Sequence, residues 1–112
     1  MAYDEGLAER LRASLESHQD ITEKKMFGGL AFMSRGHMFV GIVGDLLMAR
    51  VGPDYYKQAL SRPFVRAMDF TGKPMKGYVF VDHPGFVEDS ELSEWVQRCH
   101  NFVQMLPPKK PK

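Results

Sequence analysis

The chain has 112 residues, 44% of them hydrophobic and 26% charged, and a formal net charge of +1. This length predicts one domain with its own core, while the single cysteine, Cys99, excludes an internal disulfide. No apolar run approaches membrane-spanning length and no N-terminal leader is evident, so we expect a protein of the reducing cytoplasm.

The first element is predicted to be a helix from about Tyr3 to His18. Its apolar residues recur every four positions, while charged residues fall between them. Asp4 is the expected N-cap, because its carboxylate suits the positive end of a helix. The apolar positions are Tyr3, Leu7, Leu11 and Leu15.

Three strands should follow, at about 25–34, 37–43 and 46–51, joined by the tight turns Arg35-Gly36 and Gly44-Asp45. Two-residue turns fix the register of the strands they connect. We therefore expect three cross-strand pairs, which are Met33 with Met38, Ala31 with Val40, and Ile42 with Leu47.

Side-chain alternation along these strands predicts a sheet that is apolar on both faces. One face, the expected core, contains Gly29, Ala31, Met33, Met38, Val40, Ile42, Leu47, Ala49 and Val51. The other face contains Met26, Gly28, Leu30, Phe32, Phe39, Gly41, Val43, Leu46, Met48 and Arg50. An apolar second face requires a cover.

The rest of the chain predicts a short helix, a hairpin and a long helix. The short helix begins at Gly52-Pro53-Asp54 and ends near Ser61, and the hairpin pairs strands 65–70 and 77–81 through loop 71–76. The last helix covers about 89–106, with Asp89 or Ser90 as its cap. The prediction is an α+β domain over 1–106, with about five antiparallel strands flanked by terminal helices, and a basic tail over 107–112.

Glycines 28 and 29 interrupt a run that otherwise reads as a buried strand. Glycine weakens a strand, so the pair predicts a bulge or a close backbone approach. A phosphate-binding loop is disfavoured, because such loops open a helix and here strand residues follow.

Three segments together resemble the N-terminal domain of the TfoX/Sxy competence-regulator family, in its short stand-alone form. They are Lys25-Met26-Phe27-Gly28-Gly29-Leu30-Ala31-Phe32-Met33, Asp69-Phe70-Thr71-Gly72-Lys73-Pro74-Met75-Lys76-Gly77, and Leu106-Pro107-Pro108-Lys109. The resemblance implies a small α+β domain with an antiparallel sheet and flanking helices. Leu30-Ala31 stands where many full-length relatives carry Tyr-Gly.

Full-length members carry a second, helical C-terminal domain associated with inducing competence genes, through contacts with a transcription factor. The resemblance thus implies a regulator of transcription, although this chain has no room for that second domain. It supplies no catalytic residues and no cofactor.

Candidate catalytic and metal-binding groups are few. Cys99 and His100 are adjacent on a helix and point in different directions, so they do not form a nucleophile–base pair. The four histidines, at 18, 37, 83 and 100, lack metal-ligand spacing. We therefore expect no enzyme activity, no metal and no cofactor.

The first hypothesis for function is a non-enzymatic protein-interaction module that uses the second sheet face. Its partner would be a second copy, giving a homodimer, or another protein such as a transcription factor. The candidate surface consists of Phe32, Phe39, Leu46, Met48 and Arg50.

The alternative is a nucleic-acid-binding accessory protein, because residues 24–76 carry nine basic and only three acidic side chains. The segments 1–23 and 77–106 are acidic, so pairing of acidic helices with a basic sheet explains the same pattern. The candidate contacts are Lys24, Lys25, Arg66, Lys73 and Lys76. A third interpretation is a small-ligand pocket or an undetected enzyme, with a groove between sheet and last helix lined by Trp95 and Phe80.

Overall fold

The computed structural model describes residues 3–16, 18, 21–26, 28–68 and 76–106. Six strands form one antiparallel sheet in the order β1-β2-β3-β4-β6-β5. The elements are α1 (Glu5–Ser14), β1 (Ile21–Met26), β2 (Gly29–Ser34), β3 (His37–Val43), β4 (Leu46–Arg50), α2 (Tyr56–Leu60), β5 (Val65–Ala67), β6 (Tyr78–Val81), a 3-10 turn (His83–Phe86) and α3 (Asp89–Gln104). The predicted α+β class is confirmed.

The sixth strand arises because the predicted strand 25–34 is two strands. β1 pairs antiparallel with β2, with Met26 opposite Gly29. Gly28 has a φ of +73°, a conformation that glycine adopts without strain. Residues 22–25 of β1 are polar or charged, so the sequence gives little strand signal.

Gly29 provides the predicted close backbone approach. A Cβ at this position would lie 1.8 Å from the carbonyl oxygen of Ile42 on β3. Only a residue without a side chain fits there. The neighbour is the backbone of a strand, so the approach is between adjacent parts of the sheet.

A bulge between β2 and β3 changes the predicted faces. Met33 lies opposite Met38 as predicted, but the next pair is Phe32 with Val40, which leaves Phe39 as an extra residue on β3. Ala31 therefore lies opposite Gly41, and its predicted pairing with Val40 is wrong. The pair Ile42 with Leu47 is confirmed.

Because of the bulge, Leu30 and Phe32 lie on the same side as Val40 and Ile42, and pack with the helices. The predicted assignment of Leu30, Phe32 and Phe39 to the second face is wrong. The main core lies between this side of the sheet and the helices. Its largest fully buried members are Trp95, Phe32, Phe39, Phe86, Leu11, Ile42, Leu47 and Leu92.

The second face carries a smaller cluster of Met48, Met68 and Phe80. Met48 and Met68 are completely buried and Phe80 is 8% exposed. The centre of this face is therefore packed, in keeping with the expectation that an apolar second face requires a cover. Val43, Leu46 and Tyr78 surround the cluster and are half-buried.

The helix ends are set by local hydrogen bonds. Asp4 caps α1 as predicted, since its carboxylate accepts from the backbone N–H groups of Gly6 and Leu7 at 2.8 and 3.2 Å. At α3 the cap is Glu88, not Asp89 or Ser90, and the backbone N–H of Glu88 donates to the Glu91 side chain at 3.0 Å.

Arg12 joins α1 to the edge strand β1. Its guanidinium donates to both carboxylate oxygens of Glu23, at 2.8 and 2.9 Å, and also to Glu9. The bond from Arg12 lowers the pKa of Glu23. Within the described part of the chain, no helix is both long and apolar enough to span a membrane.

Candidate functional site

The five residues predicted to form an interaction surface do not lie together on an exposed face. Phe32 and Phe39 belong to the main core, and Met48 belongs to the cluster on the second face; all three are 1% exposed or less. Leu46 and Arg50 are half-buried. The predicted surface is therefore wrong for Phe32, Phe39 and Met48, because of the bulge and of packing on the second face.

The predicted nucleic-acid contacts are also dispersed. Lys24 and Lys25 lie exposed on β1, while Arg66 lies on β5 at the opposite edge of the sheet. Five strand spacings separate these edges, which is about 24 Å. Lys76 is exposed before β6, and Lys73 lies outside the described residues.

Ion pairs explain part of the charge pattern along the chain. Arg66 contacts Asp82 at 3.3 Å, and Arg62 contacts Glu94 at the same distance. Each pair joins the basic middle segment to the acidic C-terminal segment. This is the intramolecular pairing that the charge distribution suggested.

Cys99 lies completely buried on the core side of α3. Burial raises the pKa of its thiol far above the usual range. The nucleophilic thiolate is therefore suppressed in the folded chain.

We expect Cys99 to resist iodoacetamide in the native protein and to react at the rate of a free thiol in guanidinium chloride. Mass spectrometry of timed samples measures both rates. Native labelling as fast as denatured labelling would show that the thiol is accessible and that the packing of α3 is different.

His18 and His100 form an edge-to-face pair between the segment after α1 and α3, with ring centroids 4.4 Å apart. Burial lowers the pKa of His100, and the neighbouring His18 lowers it further. Among the described residues, no group of three or more His, Cys, Asp or Glu side chains is arranged to hold a metal ion.

The His100 shift predicts a loss of stability in mild acid. The unfolded chain protonates this histidine near pH 6.5, whereas the folded chain takes up the proton only at lower pH. The free energy of unfolding should thus fall as pH decreases below about 6.5. Urea titrations at pH 7.5 and 5.5 should show a smaller decrease for His100→Gln than for the unmodified chain; equal decreases would refute the assignment.

A groove of about 530 Å³ lies beside α3. The turn before α2 forms one wall and the C-terminal half of α3 forms the other. The groove is lined by Val51, Asp54, Tyr55, Glu94, Gln97, Arg98, Asn101, Phe102 and Met105. Met105 is 76% exposed, the highest value among the large hydrophobic residues described as exposed.

Arginine–aromatic stacking organises this region. The Arg98 guanidinium carbon lies 3.7 Å from the centre of the Tyr55 ring, and the Nε atom of Arg98 is buried without a hydrogen-bond partner. Arg50 lies 5.5 Å from the centre of the Phe102 ring. These contacts hold two guanidinium groups against aromatic faces.

The groove was not predicted, although α3 contains a signal for it. Residues 94, 98, 101 and 105 recur at helical spacing beside the buried stripe, so they share one face. The predicted small-ligand pocket is misplaced, since Trp95 is buried in the main core and Phe80 lies on the second face. Arg62 covers the Trp95 ring at 4.4 Å.

In a comparison with protein families, the family model TfoX N-terminal domain matches residues 13–103. The chain belongs to the TfoX N-terminal domain family. Neither curated proteins nor solved structures gave a match.

The TfoX N-terminal domain match includes all six strands and most of α3. The resemblance seen in the sequence is therefore confirmed at the level of the family. The two walls of the groove also lie within the matched range, except for Met105 at its end.

Proposed function

We propose that this chain is a non-enzymatic protein-interaction module related to transcriptional regulation of the competence type, and that it binds a segment of a partner protein in the groove beside α3. The observation that carries the proposal is Met105, an exposed hydrophobic side chain at the rim of a largely apolar groove. Membership of the TfoX N-terminal domain family supports the regulatory context.

Partner proteins commonly dock apolar side chains in such grooves, where rings and aliphatic chains lose contact with water together. Tyr55 and Phe102 supply aromatic surface, and Val51 supplies a buried floor. The second sheet face offers less apolar surface to a partner, since the side chains at its centre are already packed.

A segment of another protein fits this groove better than a second copy does. A stable dimer buries about 800 Å² on each subunit. A groove of about 530 Å³ accommodates a few side chains of one segment. A homodimer through this face is the competing outcome of the experiment below.

The test is photo-crosslinking in the source cell, with a benzophenone amino acid at position 105 and, as a control, at position 5 on α1. Glu5 is exposed and lies outside the groove. We expect a crosslink to a distinct protein from position 105 but not from position 5. The same crosslink should be lost in a Phe102→Glu background, and transcript levels of competence-type genes should change with it.

A crosslink between two copies of this chain would show that the groove is a homodimer interface and not a site for another protein. No position-specific crosslink, or unchanged transcripts after its loss, would overturn the proposal. Circular dichroism of Phe102→Glu checks that the variant folds; if it does not, Asn101→Trp fills the groove from an exposed position and takes its place.

Nucleic-acid binding through Lys24, Lys25, Arg66, Lys73 and Lys76 is the alternative, and it has a different signature. Binding by clustered cations weakens steeply between about 50 and 200 mM salt. Because the predicted cations are divided between opposite sheet edges, we expect no salt-dependent binding to duplex DNA in electrophoretic or anisotropy assays. Tight, steeply salt-dependent binding would favour the alternative.

A further inference from the structure

We propose that the groove is a binding site for a small organic monocarboxylate with an apolar body, and that Arg98 binds the carboxylate. This inference goes beyond the proposed function, because it requires no partner protein. It concerns the chemistry of Arg98, which the docking of a partner segment does not explain.

Arg98 is held ready for an anion. The guanidinium lies over the Tyr55 ring at 3.7 Å, its Nε atom is buried without a hydrogen-bond partner, and Arg98 takes part in none of the ion pairs found among the described residues. A guanidinium presents its N–H donors as a fork that matches the two oxygens of a carboxylate. The missing acceptor is therefore one that a ligand can supply.

Other charges at the groove limit the ligand to one negative charge. Glu94 lines the groove but is occupied by Arg62 at 3.3 Å, whereas Asp54 is exposed. A polyanion would place further negative charge near these carboxylates. A ligand with a single carboxylate can pair its one negative charge with Arg98 and adds no further negative charge to the groove.

The apolar residues that line the groove predict the chemistry of the rest of the ligand. Val51, Phe102 and Met105 are apolar, and the volume of about 530 Å³ lies within the range of small-molecule sites. An aliphatic chain or an aromatic ring fits these surfaces. The sequence suggested a ligand pocket near this helix, but with different lining residues.

The probe is octanoate. The control compounds share its eight-carbon chain: octanol is uncharged, and octylamine carries a positive charge. Titrations are followed by NMR of methyl-labelled methionines and backbone amides. We expect octanoate to shift Met105 and the amides near Tyr55 and Phe102, with an affinity at least about tenfold above that of octanol. Octylamine should bind most weakly.

Arg98→Gln should remove the preference for octanoate over octanol, while Lys57→Gln, which makes the same charge change on exposed α2, should keep it. Equal affinities for octanoate and octanol, or shifts outside the groove, would overturn the inference. The comparison on the unmodified chain decides the matter even if Arg98→Gln fails to fold. Octanoate binding in the absence of a position-105 crosslink would retain this site and reject the proposed partner.

Discussion

Replacing Gly29 by alanine should unfold the domain or lower its free energy of unfolding by about 3 kcal/mol or more. The new Cβ would lie 1.8 Å from the Ile42 carbonyl oxygen, and that atom belongs to the backbone of a central strand. Neither strand can move away without breaking the ladder, so the overlap cannot be relieved cheaply. Urea denaturation followed by circular dichroism measures the loss.

Gly28→Ala is the matched control in the adjacent position. Its Cβ would meet nothing within 4 Å, and the φ of +73° is the only obstacle. That conformation costs an alanine about 1–2 kcal/mol. If Gly29→Ala proves no more harmful than Gly28→Ala, β2 does not lie against β3 in this register.

Phe32→Ala should cost about 3–5 kcal/mol of stability, because its ring is 1% exposed in the main core. The adjacent Met33 is half-buried on the other face, so Met33→Ala should cost clearly less. The comparison tests the bulge directly. If the bulge were absent, alternation in the β2–β3 pair would place Met33 toward the core and Phe32 on the opposite face.

Chemical denaturation of both variants gives the two free energies under identical conditions. A larger loss for Met33→Ala than for Phe32→Ala would show that the register of the first hairpin continues without interruption. The core side of β2 would then be the opposite one.

Periodicity and turn residues predicted much of this fold. Arg35-Gly36 and Gly44-Asp45 fixed two hairpins, and Asp4 marked the start of α1. The strand from Ile21 was missed because its exposed edge position lets Glu23, Lys24 and Lys25 replace apolar residues. Such charges protect an edge strand from pairing with other chains and at the same time hide it from a hydrophobic pattern.

The bulge at Phe39 was beyond prediction, since alternation contains no mark of one extra residue in an apolar run. A single insertion reverses every side chain beyond it, which is why Phe32 was placed on the wrong face. The groove was missed because its two walls are far apart in the sequence. Tyr55 and Arg98 are 43 positions apart in the sequence, and only the packing of α2 against the sheet brings them into contact.

The most direct test of the groove as the functional surface is NMR of methyl-labelled methionines during titration with the crosslinked partner. The methionines report on both sides of the sheet: Met105 at the groove, Met33 on the second face and Met48 buried within its cluster. We predict that Met105 shifts and saturates while Met33 and Met48 stay unchanged. Shifts at Met33 with Met105 unaffected would place the partner on the second sheet face and contradict the account.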